Sequence, residues 1–178
     1  MKLLGEEGAV ITMSGHYAVQ AMAEGMVIEQ VQMQNVRVAK GARVRLQNCS
    51  VQGGVGVAVS VEGTAIIQSC IIQDSQGVGL DVEPTGVATV TGTTIRRHQL
   101  GVFVGGKATI GAGCSIIDCT NSGIVAFKHE EGPGEVTVVG TDLVCKGDTD
   151  DNEELEGDFV CMQGGTIKGI AEEKIVTF

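Results

Sequence analysis

A chain of 178 residues with 27 glycines, two prolines, no tryptophan and 43% hydrophobic content is long enough to bury one substantial core. Its formal charge of −10 at pH 7 excludes a nucleic-acid binder, which needs a basic face to neutralise phosphates. No apolar run approaches the length of about 18 residues that a membrane-spanning helix needs.

The opening MKLLGEEGAV turns acidic after four residues. No secretory leader and no membrane association are therefore expected, and the chain reads as intracellular and cytoplasmic. His16 and Tyr17 follow in an early coil, where packing is expected of them rather than reaction.

A phrase then recurs. Met26, Ile28, Val31 and Met33 form its first copy, and Val44, Leu46, Cys49 and Val51 the second. Ala65, Ile67, Cys70 and Ile72 follow, then Ala88, Val90, Thr93 and Ile95. Ala108, Ile110, Cys114 and Ile116 carry one extra residue, and Val136, Val138, Thr141 and Leu143 close the series. The anchors lie 18, 21, 23, 20 and 28 residues apart, a solenoid period with a variable remainder. Its outward positions, Arg43, Arg45, Gln47, Gln68, Thr89, Thr91, Thr109 and Thr137, suit a solvated sheet face.

Between the phrases lies a second, glycine-led element: GVAVSVEG at 56–63, GVGLDVEP at 77–84, GVFVGG at 101–106 and GIVAF at 123–127. Its short period-two alternation predicts strands, and no helical run of ten residues appears. Stacked on their own next copies, such strands pair in parallel, in register, about 4.8 Å apart. The predicted fold is all-β, a parallel β-helix of about six or seven coils, forming a single domain over 1–178.

The combination I-x-x-[N/C/T]-x-I, turn, G-[VI]-x-[LV] resembles the right-handed parallel β-helix repeat of the pectate-lyase-like superfamily, over roughly residues 8–170. That resemblance implies a right-handed solenoid. It implies no single activity, since the fold hosts lyases, hydrolases, epimerases, tailspikes and non-enzymatic modules. Members often stack asparagines at the turn between the second and third strands. Here that column reads Val31, Cys49, Cys70, Thr93, Cys114 and Thr141. A cysteine inside the coil packs as a small apolar side chain, so a ladder of reduced thiols is expected; disulfides down it do not fit an intracellular protein. The six cysteines form no CxxC pair and only three histidines are present, so neither a zinc site nor a cofactor is expected.

If the glycine-led strands alternate regularly, Ala58, Gly79, Phe103, Val125 and Val160 form one outward column. Ser60, Asp81, Gly105, Phe127 and Met162 form the next, with Asp81 as the one charge in either. The enzymes of the superfamily imply clustered acids and basic residues on this face, and glycoside hydrolysis needs two carboxylates. A lone aspartate supplies neither. The remaining apolar strip, Ala58, Phe103, Val125, Phe127, Val160 and Met162, is expected either to contact protein or to be covered by the chain itself.

After each phrase, Asp74, Arg97 and Asp118 form a column expected to pair as an ion ladder. Ser75, His98, Cys119 and Lys146 lie one residue on. His98 beside Cys119 is a weak candidate for an activated thiolate. The long acidic loop GDTDDNEELEG at 147–157 gives Asp148, Asp150 and Asn152 calcium-loop spacing. Glu153 stands where an EF-hand needs glycine, so a solvated loop is expected there, with weak cation binding the lesser alternative.

The two ends, MKLLG and 171–178, either fold across the open coils or let copies stack end to end. The sequence thus points to a non-catalytic binding or scaffold module with a protein partner or self-association, a role seen by analogy in F-box β-helix adaptors. A carbohydrate-active lyase or epimerase using Asp81, Arg97, Asp118 and the acidic loop is the alternative. A self-assembling structural solenoid is the third reading.

Overall fold

The computed structural model describes residues 2–4, 10–11, 19–22, 25–130, 132–139, 144–147, 157–162, 165–171 and 175–177. Among them every regular element is a strand, and the strands wind into three stacked parallel sheets of eight, seven and nine members. The ninth member of the third sheet is Gly132–Pro133, which pairs antiparallel with Ser122–His129.

One coil illustrates the plan. Arg43–Gln47 belongs to the first sheet, Ser50–Gln52 to the second and Val57–Val61 to the third. The next coil repeats it with Thr64–Gln68, Ile71–Gln73 and Val78–Val82. The first sheet follows the phrase register: Met26, Val44, Ala65, Ala88, Ala108 and Val136 pair in one line. In the second sheet Met33, Val51, Ile72, Ile95 and Ile116 do the same. Ile116 then pairs with Cys145; Thr141 and Leu143, assigned to the last phrase, lie outside the described residues.

Alternation makes the core. In Arg43–Gln47, Val44 and Leu46 point in and are 1% and 0% exposed, while Arg43 and Arg45 point out. Ile28, Leu46, Ile67, Val90 and Ile110 stack at 0% exposure, each such burial removing about 1.5–3 kcal/mol worth of apolar surface from water. Eight strands in the first sheet make the coil number differ slightly from the six or seven read from the phrases. Lys2–Leu4 and Thr166–Lys168 extend the stack without carrying the phrase.

The corners are sharp because single residues turn left-handed. Gln30, Asn48, Ser69, Gly92 and Gly113 do so at the corner between the first and second sheets, with φ of 58°, 53°, 53°, 55° and 71°. The residue after each turns inward: Val31, Cys49, Cys70, Thr93 and Cys114 are all at most 2% exposed. At the next corner Asp74, Arg97 and Asp118 have φ of 62°, 58° and 55°. The third corner brings backbones into contact. A Cβ on Gly86 would lie 2.0 Å from the Val61 carbonyl oxygen, so no side chain fits there.

Candidate functional site

The outer face of the third sheet departs from regular alternation. Val78 pairs with Leu100 and Leu80 with Val102, two residues away from the register that the leading glycines suggest. Gly101 therefore follows Gly79, and Ala58, Gly79 and Gly101 all face inward. Ala58 is 0% exposed, and a Cβ on Gly79 would lie 2.6 Å from the His98 ring and 2.7 Å from Ile95 Cγ2. Two successive residues of the strand thus enter the core, and Ser60 and Asp81 come to align with Phe103 instead of Gly105. Ala58 is not part of an exposed strip.

The true outward column runs Arg37, Ser60, Asp81, Phe103 and Val125, and Val125 pairs in register with Val160. Beside it, two residues further along each strand, lie Glu62, Glu83, Gly105 and Phe127; Phe127 pairs with Met162. The side chains of Val160 and Met162 lie outside the described residues. Val125 faces out yet is 0% exposed, so it offers no contact surface. Phe103 and Phe127 are half-buried and stack with centroids 5.9 Å apart and planes at 27°.

Asp81 is not the only charge on this face. Arg37 Nε donates to Glu62 Oε1 at 2.8 Å, with Nη2 on the same oxygen. Glu83 lies two residues beyond Asp81. Burial raises the Asp81 carboxyl from 3.8 to about 7, and the Glu83 charge adds to the shift. A carboxyl raised this far keeps part of its proton near neutrality, and in that form it can donate as well as accept a hydrogen bond. Arg37, Glu62 and Glu83 were legible: the two glutamates occupy the same place in VSVEG and LDVEP. Anchoring on glycines rather than on the valines before these acids hid them.

The turn after the second sheet does not support catalysis. Arg97 holds Asp74 bidentately, Nε to Oδ1 at 2.5 Å and Nη2 to Oδ2 at 2.9 Å, and this holds the Asp74 carboxyl below its usual range. Asp118 reaches Arg97 only through its charge, so the expected three-member ladder is one pair. His98 is 2% exposed and fully occupied. Its Nδ1 accepts from the Ser75 N–H at 3.1 Å, and Nε2 lies 3.1 Å from the Ile72 carbonyl. That arrangement fixes the neutral tautomer, and burial lowers the imidazole pKa. Cys119, at 0% exposure, is pushed up to about 11 by burial. A neutral, doubly bonded histidine beside a buried thiol is a packing element, not a nucleophile and its base.

The corner column also packs. Thr93 Oγ1 accepts the Cys70 N–H at 3.2 Å and donates to Thr91 O at 2.9 Å. Cys49 Sγ donates to the Ile28 and Gln47 carbonyls at 3.4 and 3.3 Å. The neighbouring Cys49 thiol and burial together raise Cys70. Cys49, Cys70, Cys114 and Cys119 are all free thiols. Asp148, Asp150 and Asn152 lie outside the described residues. Among the described residues no group of three or more His, Cys, Asp or Glu is placed to hold a metal, and no helix is long and apolar enough to cross a membrane.

Comparison with known proteins agrees with this architecture. The solved structure of pectate lyase Pel9A superposes with a TM-score of 0.61 at 12% identity, over 93% of this chain and 52% of that one. The chain thus spans about half the length of that lyase, and at this identity the likeness is one of fold. No curated protein matches the sequence. The family described as "Right handed beta helix region" matches residues 11–142. With three parallel sheets wound about one apolar core over most of its length, the chain belongs to the right-handed β-helix family.

Proposed function

We propose that the outer face of the third sheet binds a neutral glycan, with Asp81 and the Phe103–Phe127 pair at its centre. The observation that carries this reading is the pairing of Asp81 with Phe103 in adjacent coils. A carboxyl near neutrality stands beside apolar rings, with Glu83 and the Arg37–Glu62 pair at the rim. Sugars need apolar contact for their C–H surfaces and paired donor–acceptor groups for their hydroxyls. Asp81 supplies both hydrogen-bond roles in one group.

The face favours binding over lyase chemistry. Glu62, Asp81 and Glu83 stand against Arg37, which Glu62 already holds, so a polyuronate would meet net negative charge among the described residues of this face. Moving Ala58 into the core and burying Val125 also shrinks the apolar strip on which protein docking would rely. Asp81 and Glu83 do place two carboxyls side by side with a raised pKa on one, the pairing that acid–base hydrolysis uses. Slow hydrolysis is therefore measured alongside binding.

The test is calorimetric titration with neutral gluco-, xylo- and manno-oligosaccharides and with oligogalacturonate, accompanied by a reducing-end release assay. Saturable binding of a neutral oligosaccharide that Phe103→Ala and Asp81→Asn each weaken by about tenfold supports the reading. Preference for oligogalacturonate, or no binding by any sugar, overturns it. A second reading, protein contact, rests on the half-buried Phe103–Phe127 stack. It predicts concentration-dependent association by light scattering that Phe103→Asp with Phe127→Asp removes.

A further inference from the structure

A second surface carries chemistry that the glycan reading does not use. On the outside of the first sheet, Val27, Arg45 and Ile66 pair in one column across three coils, and Arg43 pairs with Thr64 beside them. A cavity of about 430 Å³ opens over this patch, lined by Arg43, Arg45, Glu29, Gln47, Val27 and Ile66. A second cavity, about 340 Å³, lies across Arg43 and is lined by Lys40, Arg43, Glu62, Thr64 and Thr85.

The charge here runs against the rest of the molecule. The stretch RVAKGARVR at 37–45 contains four cations and no acid, in a chain whose net charge is −10. Arg37 is engaged by Glu62. The side chains of Lys40, Arg43 and Arg45 make no hydrogen bond or ion pair among the described residues. Both acids that line the cavities have other commitments: Glu62 holds Arg37, and Glu29 has its own interaction. Arg43 and Arg45 are two apart on one strand, so their stems rise from the same face about 6.6 Å apart. Two guanidiniums at that separation converge on one oxyanion, each offering a planar fork of donors. Beyond a Debye length of about 8 Å the chain's overall negative charge is screened, so these local cations set the potential inside the groove.

We infer that this groove on the first sheet is a binding site for a small organic anion: a phosphate or carboxylate head held between Arg43 and Arg45, with an apolar body lying on Val27 and Ile66. The cavity is of the size that small ligands occupy. Gln47 supplies a neutral donor at the inner edge, and Glu29 at the rim disfavours a second negative charge on the ligand's tail. The cavity over Arg45 opens on the first sheet and shares no lining residue with the glycan face, whereas the smaller one beyond Arg43 is bounded by Glu62.

Backbone amide NMR titration with phenyl phosphate, inorganic phosphate and benzoate tests it on the intact chain. Saturable shifts confined to residues 26–29, 43–47 and 64–68 are expected, with phenyl phosphate at least about fivefold tighter than inorganic phosphate because the ring gains the Val27–Ile66 contact. The ratio of phenyl phosphate to benzoate identifies the head group, and either ranking fits the site. Arg43→Gln with Arg45→Gln should weaken the better ligand by about tenfold or more, while Arg96→Gln on the second sheet leaves it unchanged. Arg43 and Arg45 are exposed and Arg96 is half-buried, and an unaltered amide spectrum verifies the fold of each variant. Non-saturating shifts for all three probes, shifts spread over the surface, or equal losses from Arg96→Gln and the double variant would overturn the proposal.

Discussion

His98 ties its coil to the one before it by two contacts: its Nδ1 accepts from Ser75 N–H at 3.1 Å and its Nε2 faces Ile72 O at 3.1 Å. Removing the ring leaves two buried backbone groups unpaired and opens a void where Gly79 packs. His98→Ala is expected to cost about 3 kcal/mol and His98→Gln less, read from urea midpoints.

The same ring makes the protein acid-sensitive. Its folded pKa lies below the unfolded value near 6.5, so the unfolded chain binds the proton first. Stability from this group is complete above about pH 6.5 and is lost as pH falls through the folded value. Comparing urea midpoints between pH 7 and pH 5, His98→Gln should lose less than the parent chain.

Asp81 acts in the opposite sense. Its carboxyl is raised from 3.8 to about 7, so the folded state holds the proton more tightly than the unfolded one. Its stabilisation is full below about pH 4 and declines as pH rises towards 7. Asp81→Asn should flatten this part of the profile and stabilise the protein at pH 8 by on the order of 1–3 kcal/mol. A variant whose pH profile between 5 and 8 matches the parent's would contradict the burial of this carboxyl.

Thr93, at 0% exposure, bonds to the coil before it through the Cys70 amide. Thr93→Val keeps the shape but strands that N–H, and about 1–3 kcal/mol should be lost. Hydrogen exchange at Cys70 should accelerate more than at its neighbours.

Ser69 adopts φ 53° between Asn48 and Gly92 in the same column. Ser69→Gly removes the Cβ strain of the left-handed turn and should raise stability by a few tenths to about 1 kcal/mol, discounted by the added freedom of the unfolded chain.

The first two sheets were open to sequence reading because their alternation is unbroken and each phrase carries its own register marks. Val44, Ala65, Ala88 and Ala108 align as their spacing predicts. The third sheet was read two residues out between Val78 and Leu100. Glycine there signals two different needs: Gly77 follows a turn, whereas Gly101 makes room for Ile116 Cγ2 and the Gly123 carbonyl, 2.4 and 2.5 Å from where a Cβ would sit. Burial of two successive residues at Ala58 and Val59 breaks the period of two, and nothing in residue type announces it. That slip is why Asp81 was placed opposite Gly105 rather than Phe103, and why its acidic neighbours went unseen. His98 looked reactive because sequence shows a histidine near a cysteine, not the two carbonyl-side and amide partners that occupy its nitrogens.

The three corners recur from coil to coil with the same backbone, each defined by a left-handed residue or by a glycine such as Gly86 against the carbonyl of the preceding turn. Any coil consequently presents the same rim to whatever follows it. In evolutionary terms such a chain has a unit of inheritance: duplication or loss of a whole coil leaves a rim that still matches, while gain or loss of part of one misaligns all three sheets together. Lineages of this protein should differ in height by complete storeys, with length variation otherwise confined to turns that project from the stack.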